Sequence, residues 1–299
     1  MKFDKILLRY GEIGLKSKQT RRKFEDRLRS NIEKFLEREK VDFNIKVPWG
    51  RFLIETKDEK ALDVLKNVFG IVSISPVVSC KSELSDIRKT AFNVAEKHIN
   101  EKDSFAVRAR RTGNHEFTSQ DVEREIGADI VEKIGSEVDL DNPDKELFIE
   151  VRQKESNVFT EKIQGPGGLP YGVEGKVLAV YGSSIDNLKT AVWLMSKRGC
   201  EVEIACLESD FQDVEKAVKD LKSWYINLKV HKLKENLFEN TEKLAEKQDA
   251  KALVSAKSLT VENLEKFKKV DINVKLPVLR PLIGLDEEHL SEYKKSLKG

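Results

Sequence analysis

Gly175-Lys176-Val177-Leu178-Ala179-Val180-Tyr181-Gly182-Ser183-Ser184-Ile185-Asp186 is the stretch that decides how the second half of this chain is read. The apolar run from Val177 predicts a buried strand, and the small residues at 182–184 predict a turn into a helix. Strand, small-residue turn and helix is how α/β proteins aim backbone N–H groups at a phosphate, because the helix N-terminus carries partial positive charge. Such turns ordinarily hold glycine, which takes positive φ and lets the backbone approach an anion. Here Ser183 and Ser184 stand in those places. Two readings follow. Either the amides from Ser183 to Asp186 still hold a phosphate, or the serines cap the helix by accepting from its first free N–H groups, with Asp186 suiting the dipole. The capping reading is preferred, and the candidate nucleotide site of Val180, Tyr181, Gly182, Ser183, Ser184 and Asp186 is then vestigial. Cys206 and Leu207 join it, because the C-terminal ends of strands are where open α/β sheets bind ligands. A catalytic Cys206 is disfavoured, since most such cysteines are small buried hydrophobes.

Working outward, short apolar runs alternate with amphipathic helices from Lys176 onward. Strands are predicted at 177–181, 203–207, 228–233, 252–255 and 278–279. Such alternation predicts a Rossmann-like, doubly wound parallel sheet. Ahead of it, Gly165-Pro166-Gly167-Gly168-Leu169-Pro170 packs three glycines and two prolines into six residues. That composition marks a rigid connection with special backbone angles.

The first half is α+β in pattern. Residues 1–80 read as strand, helix, strand, strand, helix, strand, the split βαβ or ferredoxin-like order. Predicted strands cover 5–8, 43–47, 52–55 and 71–78, and Trp49-Gly50 links the middle pair. A helix from about Thr20 places Phe24, Leu28, Ile32, Phe35 and Leu36 on one stripe, and a second helix covers 61–69. A new unit opens with a helix over 83–99. Strand 104–109, helix 119–135, and strands 147–151 and 158–161 follow. The expected domains are 1–80, 81–165 and 172–299.

The bulk composition excludes some classes. No run of eighteen apolar residues could cross a bilayer, and MKFDKILLRYGE lacks the features of a secretory signal. A soluble, cytoplasmic protein without membrane association is expected. Three cysteines and four histidines show no metal-ligand spacing, so reduced thiols and no metal are expected. The net charge is only +2, but residues 1–60 hold 17 Lys and Arg against 11 Asp and Glu. Lys16, Lys18, Arg21, Arg22 and Lys23 crowd the start of the first long helix, the unfavourable end of its dipole for cations. Phosphates outside the fold would offset that. Arg108, Arg110 and Arg111 follow the strand at 104–109, with Arg108 and Arg110 on one face and Val107 and Ala109 on the other. Guanidinium groups that bind phosphate bidentately suit contact with a nucleic-acid backbone. Surface ion pairs with Glu116 or Asp121 are the alternative. Trp49, Trp193 and Trp224 read as core or junction fillers.

Taken together, several segments resemble the tRNA 4-thiouridine synthetase (tRNA sulfurtransferase) family, whose members adenylate a uridine of tRNA and replace its oxygen with sulfur. Arg9-Tyr10-Gly11-Glu12-Ile13-Gly14-Leu15-Lys16-Ser17 with Arg21-Arg22-Lys23-Phe24-Glu25 is similar to the family's ferredoxin-like domain. Phe105-Ala106-Val107-Arg108-Ala109-Arg110-Arg111, with Phe117 and Ser119, resembles the opening of a THUMP RNA-binding domain. Thr160-Glu161-Lys162-Ile163, Gly165 to Pro170, and Val278-Leu279-Arg280-Pro281-Leu282-Ile283 complete the match. The resemblance implies tRNA as partner and adds Lys162 to the RNA-binding candidates.

The departures lie in the family's reaction machinery. Its pyrophosphate loop reads Ser-Gly-Gly-x-Asp-Ser, where this chain has Gly182-Ser183-Ser184-Ile185-Asp186-Asn187. A family Thr-Gly-Glu element faces Ser255-Ala256-Lys257, and no cysteine follows Cys206 where the family carries its sulfur-transfer cysteine. The reading is a tRNA-binding homologue without self-sufficient adenylation, with ATP the candidate cofactor and none assigned. The alternative is an active ATP-dependent tRNA sulfurtransferase using an altered loop. A separate modification or sulfur-donor enzyme and a homodimer remain open as partners.

Overall fold

The computed structural model describes residues 3–15, 17–48, 50–182, 184–234, 237–257 and 274–297. Along the chain the elements are β1 (Lys5–Tyr10), α1 (Lys18–Arg38), β2 (Asn44–Lys46), β3 (Phe52–Glu55), α2 (Lys60–Leu65), β4 (Ile71–Lys81), α3 (Leu84–Ala95), β5 (Ser104–Arg111), α4 (Ser119–Ile134), β6 (Glu137–Val138), β7 (Lys145–Val151), β8 (Glu155–Phe159) and β9 (Ile163–Gln164). There follow β10 (Lys176–Val180), α5 (Ile185–Lys197), β11 (Glu201–Leu207), α6 (Phe211–Asp220), β12 (Val230–Leu233), α7 (Leu237–Lys247), β13 (Ala252–Ser255), β14 (Val278–Leu279) and α8 (Glu287–Ser296). No helix among the described residues is long and apolar enough to cross a membrane. Two compact units emerge, the first from 1–9, 41–62 and 73–164, the second from 10–40, 63–72 and 165–299.

The first unit is built on a sheet of order β2-β3-β1-β4-β8-β7-β5-β6, with β9 on β4. Its β2-β3-β1-β4 part has the ferredoxin-like strand order that the chain order predicts. β4 is the long strand of this sheet. Its residues 73–74 pair with β9 and 78–81 with β8, so Pro76 falls between the two partners. A proline lacks the N–H a continuous ladder would need there. In the second half of the sheet, Ile87, Ala91 and Val94 of α3 and Val122, Ile126 and Ile130 of α4 bury against Phe105, Val107, Leu147 and Ile149. α4 is set by its ends. Thr118 and Asp121 form a reciprocal capping box, and Gly135 closes the helix in the left-handed region at φ 81°.

The second unit holds α1 and a five-stranded sheet, order β12-β11-β10-β13-β14, whose paired strands are parallel. β10 is its central strand, which explains the unbroken apolar run Val177 to Val180. Leu188, Ala191, Val192 and Met195 of α5 cover one face with Val202, Ile204 and Val254. Ala245 of α7, Ala250 and Leu253 cover the other around Leu178 and Ala205.

Several expected boundaries move for identifiable reasons. α2 ends at Leu65 rather than 69, because Asn67 and Val68 N–H groups bond three residues back and Gly70 sits at φ 101°. α3 ends at Ala95 rather than 99. The apolar spacing runs on to the buried Ile99, but Lys97 and His98 close tight i→i−3 turns. β5 runs on to Arg111, so the three arginines lie in the strand rather than after it. β6 and β9 hold two residues each, too few to show any period. Trp49 lies outside the described residues, while Gly50 takes φ 78° at the β2–β3 link.

Candidate nucleic-acid interface and nucleotide turn

In the first unit, side chains from β1, β5, β7, β8 and the segment after β8 converge on a groove of about 390 Å³. Its floor is a stack of two rings and two cations. Phe148 and Phe159 lie 5.2 Å apart, Lys162 Nζ is 3.4 Å from the Phe148 centroid, and the Arg9 guanidinium is 4.8 Å from that of Phe159. Arg9 is held by Glu150 Oε1 through Nε at 2.9 Å and Nη2 at 2.8 Å, and Nη1 donates to Ser75 Oγ at 2.9 Å. Burial by itself would push the Glu150 carboxyl up. The charges of Arg9, Arg51 and Arg152, with the Arg9 hydrogen bonds, outweigh that and hold it below its ordinary value.

The three arginines of β5 turn out to be different. Arg108 pairs with Glu146 at 3.0 Å and donates to Leu140 O at 2.7 Å. Neither Glu116 nor Asp121 is its partner. Arg111 donates to Gly113 O at 3.1 Å. Arg110 is exposed and, like Lys162, has no carboxylate within ion-pair distance among the described residues. Lys162 is pushed below its ordinary value by burial, then by the nearby charges of Arg9 and Arg110. Three cations thus feel one another in one groove. Its carboxylates are engaged within the fold, Glu150 by Arg9, Glu146 by Arg108 and Glu123 by the Ala109 N–H at 2.8 Å. Sequence reasoning missed Arg9, Phe148 and Phe159 as groove residues. The available signal was a charged residue at 9 inside an otherwise buried strand, matched by Glu150 in another.

In the second unit, the basic start of α1 is also divided. Ser17 caps the helix, its Oγ accepting from Thr20 N at 3.4 Å. Arg21 is offset from within, by Glu25 at 2.9 Å and the Tyr10 hydroxyl at 3.0 Å. Lys18, Arg22 and Lys23 are exposed, and Lys16 lies outside the described residues. Arg22, Lys23 and Arg27 line a groove of about 520 Å³ with Asp26 on its wall.

At the turn after β10, the candidate nucleotide site, Ser184 has the extended backbone of an N-cap and its Oγ accepts from Asn187 N at 3.3 Å. Ser183 lies outside the described residues. Tyr181 N–H bonds to Ala205 O at 2.9 Å, and Asp186 O accepts from Thr190 Oγ1 at 2.8 Å. Val180 is buried, and Tyr181, Asp186 and Leu207 are half-buried. A methyl group added to Gly182 would lie 3.7 Å from Cε of Lys257, so a lysine stem reaches the mouth of the turn. Cys206 is fully buried with its thiol directed at His231 O, 3.9 Å away, and burial pushes it up to about 11. A thiol so buried and so weakly acidic is poorly placed to act as a nucleophile. No cluster of metal-binding side chains exists among the described residues.

Within the parallel sheet, the buried Glu203 of β11 meets Lys176 Nζ at 2.8 Å, His231 Nε2 at 2.7 Å and Lys229 Nζ at 3.4 Å. Burial raises this carboxyl, but its hydrogen bonds to Lys176 and His231 and the charges of Lys176 and Lys229 win, leaving it lowered. A lowered carboxyl stabilises the fold above its unfolded value of about 4.3, and that contribution is lost as pH falls through the folded value. Glu203→Gln is therefore expected to destabilise the protein by about 1–3 kcal/mol at neutral pH. It should also flatten the acid limb of urea midpoints measured from pH 7 down to pH 3.

Comparison with known proteins places these features in one lineage. Residues 5–75 match the ThiI ferredoxin-like domain, 81–161 the THUMP domain and 210–298 the thiamine biosynthesis protein (ThiI) family. The probable tRNA sulfurtransferase of Methanobrevibacter smithii is 35% identical over 337 residues, covering 99% of this chain and 87% of that protein. That of Methanocaldococcus jannaschii is 36% identical over 333 residues, covering 98% and 87%. A crystal structure of PH1313 from Pyrococcus horikoshii superposes with a TM-score of 0.85 at 33% identity, covering 98% of this chain and 99% of that one. A 4-thiouridine synthetase in complex with RNA and bound ATP superposes with a TM-score of 0.83 at 28% identity, covering 99% and 85%. The chain belongs to the tRNA sulfurtransferase family. Those sequence alignments run longer than the 299 residues of the chain, so the relatives carry residues within the aligned span that it lacks.

Proposed function

We propose that this chain is a tRNA-binding member of the tRNA sulfurtransferase family that lacks self-sufficient adenylation. The observation that carries the binding half is the groove of the first unit. Arg110 and Lys162 stand there beside Arg9 with no carboxylate of their own, while every acidic neighbour is engaged by the fold. Cations left in this state bind phosphate, releasing its counterions. Arg108 and Arg111 of the same strand and, separately in the second unit, Lys18 and Arg22 are further RNA-binding candidates, whereas Arg21 is committed to Glu25 and Tyr10. A relative has been solved with RNA and ATP, and tRNA is the RNA this family's name specifies. The functional regions are 1–80 as ferredoxin-like domain, 81–165 as THUMP domain and 172–299 as Rossmann-like domain.

The loss of adenylation rests on the turn after β10. Ser184 occupies one of the first free N–H groups of α5 with its own side chain, and the stem of Lys257 stands against Gly182. Ser184 thereby takes a donor that a pyrophosphate would need, and the lysine stem takes room beside Gly182. The chemistry would then be supplied by a separate modification or sulfur-donor enzyme to which the bound tRNA is presented.

Filter binding of an unmodified tRNA transcript tests the first half. Affinity should fall with salt, with a slope of about −0.9 per phosphate contacted. Arg110→Ala and Lys162→Ala should each weaken binding alike for different tRNAs and reduce that slope by about 1. Negligible affinity at low salt would sink the reading. Incubation with ATP, tRNA and sulfide tests the second half, and no pyrophosphate above background is expected. Pyrophosphate release dependent on tRNA would identify a working sulfurtransferase instead.

A further inference from the structure

The second unit contains a cavity of about 260 Å³ that none of the features above uses. Five aromatic side chains line it: Phe35, Phe69, Tyr171, Trp224 and Tyr225. Trp224 and Tyr225 pack around Phe69 with centroids 5.6 Å and 6.0 Å away, and Trp193, outside the cavity, backs Phe69 at 5.8 Å. Tyr171 meets Tyr225 edge-on at 5.7 Å, and its hydroxyl is fixed by Val202, accepting from N at 3.1 Å and donating to O at 3.3 Å. Asn31 of α1 donates to Tyr171 O at 3.1 Å and lines the same cavity. The walls are therefore rigid. Trp193 is buried filler, as its sequence context suggests, but Trp224 is only half-buried and borders open space.

Arg27 belongs to two cavities at once. It lines this aromatic one and also the cationic groove of Arg22 and Lys23 along α1. Its guanidinium lies beside Gly172, where an added methyl group would be 3.4 Å from Nη1. Neither a hydrogen bond nor an ion pair engages it among the described residues. The volume falls just under the range of about 300–1,000 Å³ typical of small-molecule pockets, which suits one flat ring with little attached. A run of cations that leads into an aromatic cleft through a shared arginine matches the two parts of a nucleotide. Phosphates follow the cations, and the base enters among the rings, as in single-strand binding sites.

We infer that this cleft takes one unpaired base of a bound RNA, stacked beside Trp224, with the adjoining phosphates on Arg22, Lys23 and Arg27. The inference rests on the proposed RNA binding and adds a second contact region, on α1 and the parallel-sheet unit. It differs from the turn after β10, where the family's reaction would call for a triphosphate.

The test uses the full chain, with filter binding and tryptophan emission followed together. The probes are an unmodified tRNA transcript, inorganic polyphosphate of comparable charge, and AMP. tRNA should bind and quench emission, and polyphosphate should bind without quenching. Trp224→Phe keeps the ring packing, so it should retain tRNA affinity within about twofold and lose most of the quench. Arg27→Ala, at an exposed position that should not disturb folding, should lower tRNA affinity about three- to tenfold and reduce the salt slope by about 1. If tRNA binds but the quench is absent or survives Trp224→Phe, and Arg27→Ala binds as the parent does, this inference fails while RNA binding stands. If no tRNA binds, both fall. Saturable quenching by AMP alone that Trp224→Phe abolishes would mark a free nucleotide as the occupant and overturn the assignment to RNA.

Discussion

Gly168→Ala is expected to destabilise the second unit by about 3–4 kcal/mol, among the larger effects of a single added methyl group. Gly168 takes φ 73°, and a Cβ built there would stand 2.1 Å from the backbone oxygen of Lys197. That oxygen already accepts from Leu169 N at 2.9 Å, so it cannot retreat without breaking the bond that joins the linker to the end of α5. The neighbouring links are as tight. Gly70 N–H bonds to Gly167 O at 2.9 Å, and Gly167 N–H to Ile71 O at 2.8 Å. A contrasting substitution is at hand in Gly182, where the φ is ordinary and an added methyl group meets nothing nearer than the Lys257 stem. Gly182→Ala should leave the urea midpoint almost unchanged, within about 0.5 kcal/mol. Equal losses for the two variants would show that the linker is not packed as described.

Glu150→Ala is expected to cost about 3–5 kcal/mol, because it removes one partner of a buried ion pair and leaves the other charged. Glu150 is 8% exposed. Arg9 loses both of its hydrogen bonds to the carboxylate, and Arg51 and Arg152 lose an opposing charge at 3.6 Å and 3.7 Å. The control is Glu146→Ala in the same groove, whose pair with Arg108 is well exposed on both sides. Such a pair contributes about 0–1 kcal/mol. Urea unfolding of the two variants at pH 7 separates the cases, and a loss below 1 kcal/mol for Glu150→Ala would contradict the buried-pair account.

The fold was largely legible because its main elements advertise themselves. The stripe Phe24, Leu28, Ile32 and Leu36 announces α1, and the run Val177 to Val180 announces a strand covered on both faces. Where the reading fell short, the deciding interactions join residues far apart in the chain. Nothing near Arg9 says that it will meet Glu150, 141 positions away. The alternation of β5 groups Arg108 with Arg110, yet only the fold supplies Glu146 and Leu140 O to engage the first and leave the second. The crowding of cations at the start of α1 was visible, but its relief at Arg21 depends on Tyr10, eleven residues upstream in another element. Trp224 looked like filler because a sequence records an aromatic residue, not the empty volume beside it.

The interleaving of the second unit bears on how the chain is made. A ribosome that has delivered residues 1–164 has produced α1 but not yet the stretch 165–299 that shares its unit. At about 5–20 residues per second, that stretch takes roughly ten seconds or more to emerge. Through this interval the apolar stripe of α1 lacks part of its final surroundings, a window in which a chaperone would find it and a stalled translation product would be prone to clump. Every residue of the first unit precedes 165, so the cationic groove needs no part of the chain made after that point.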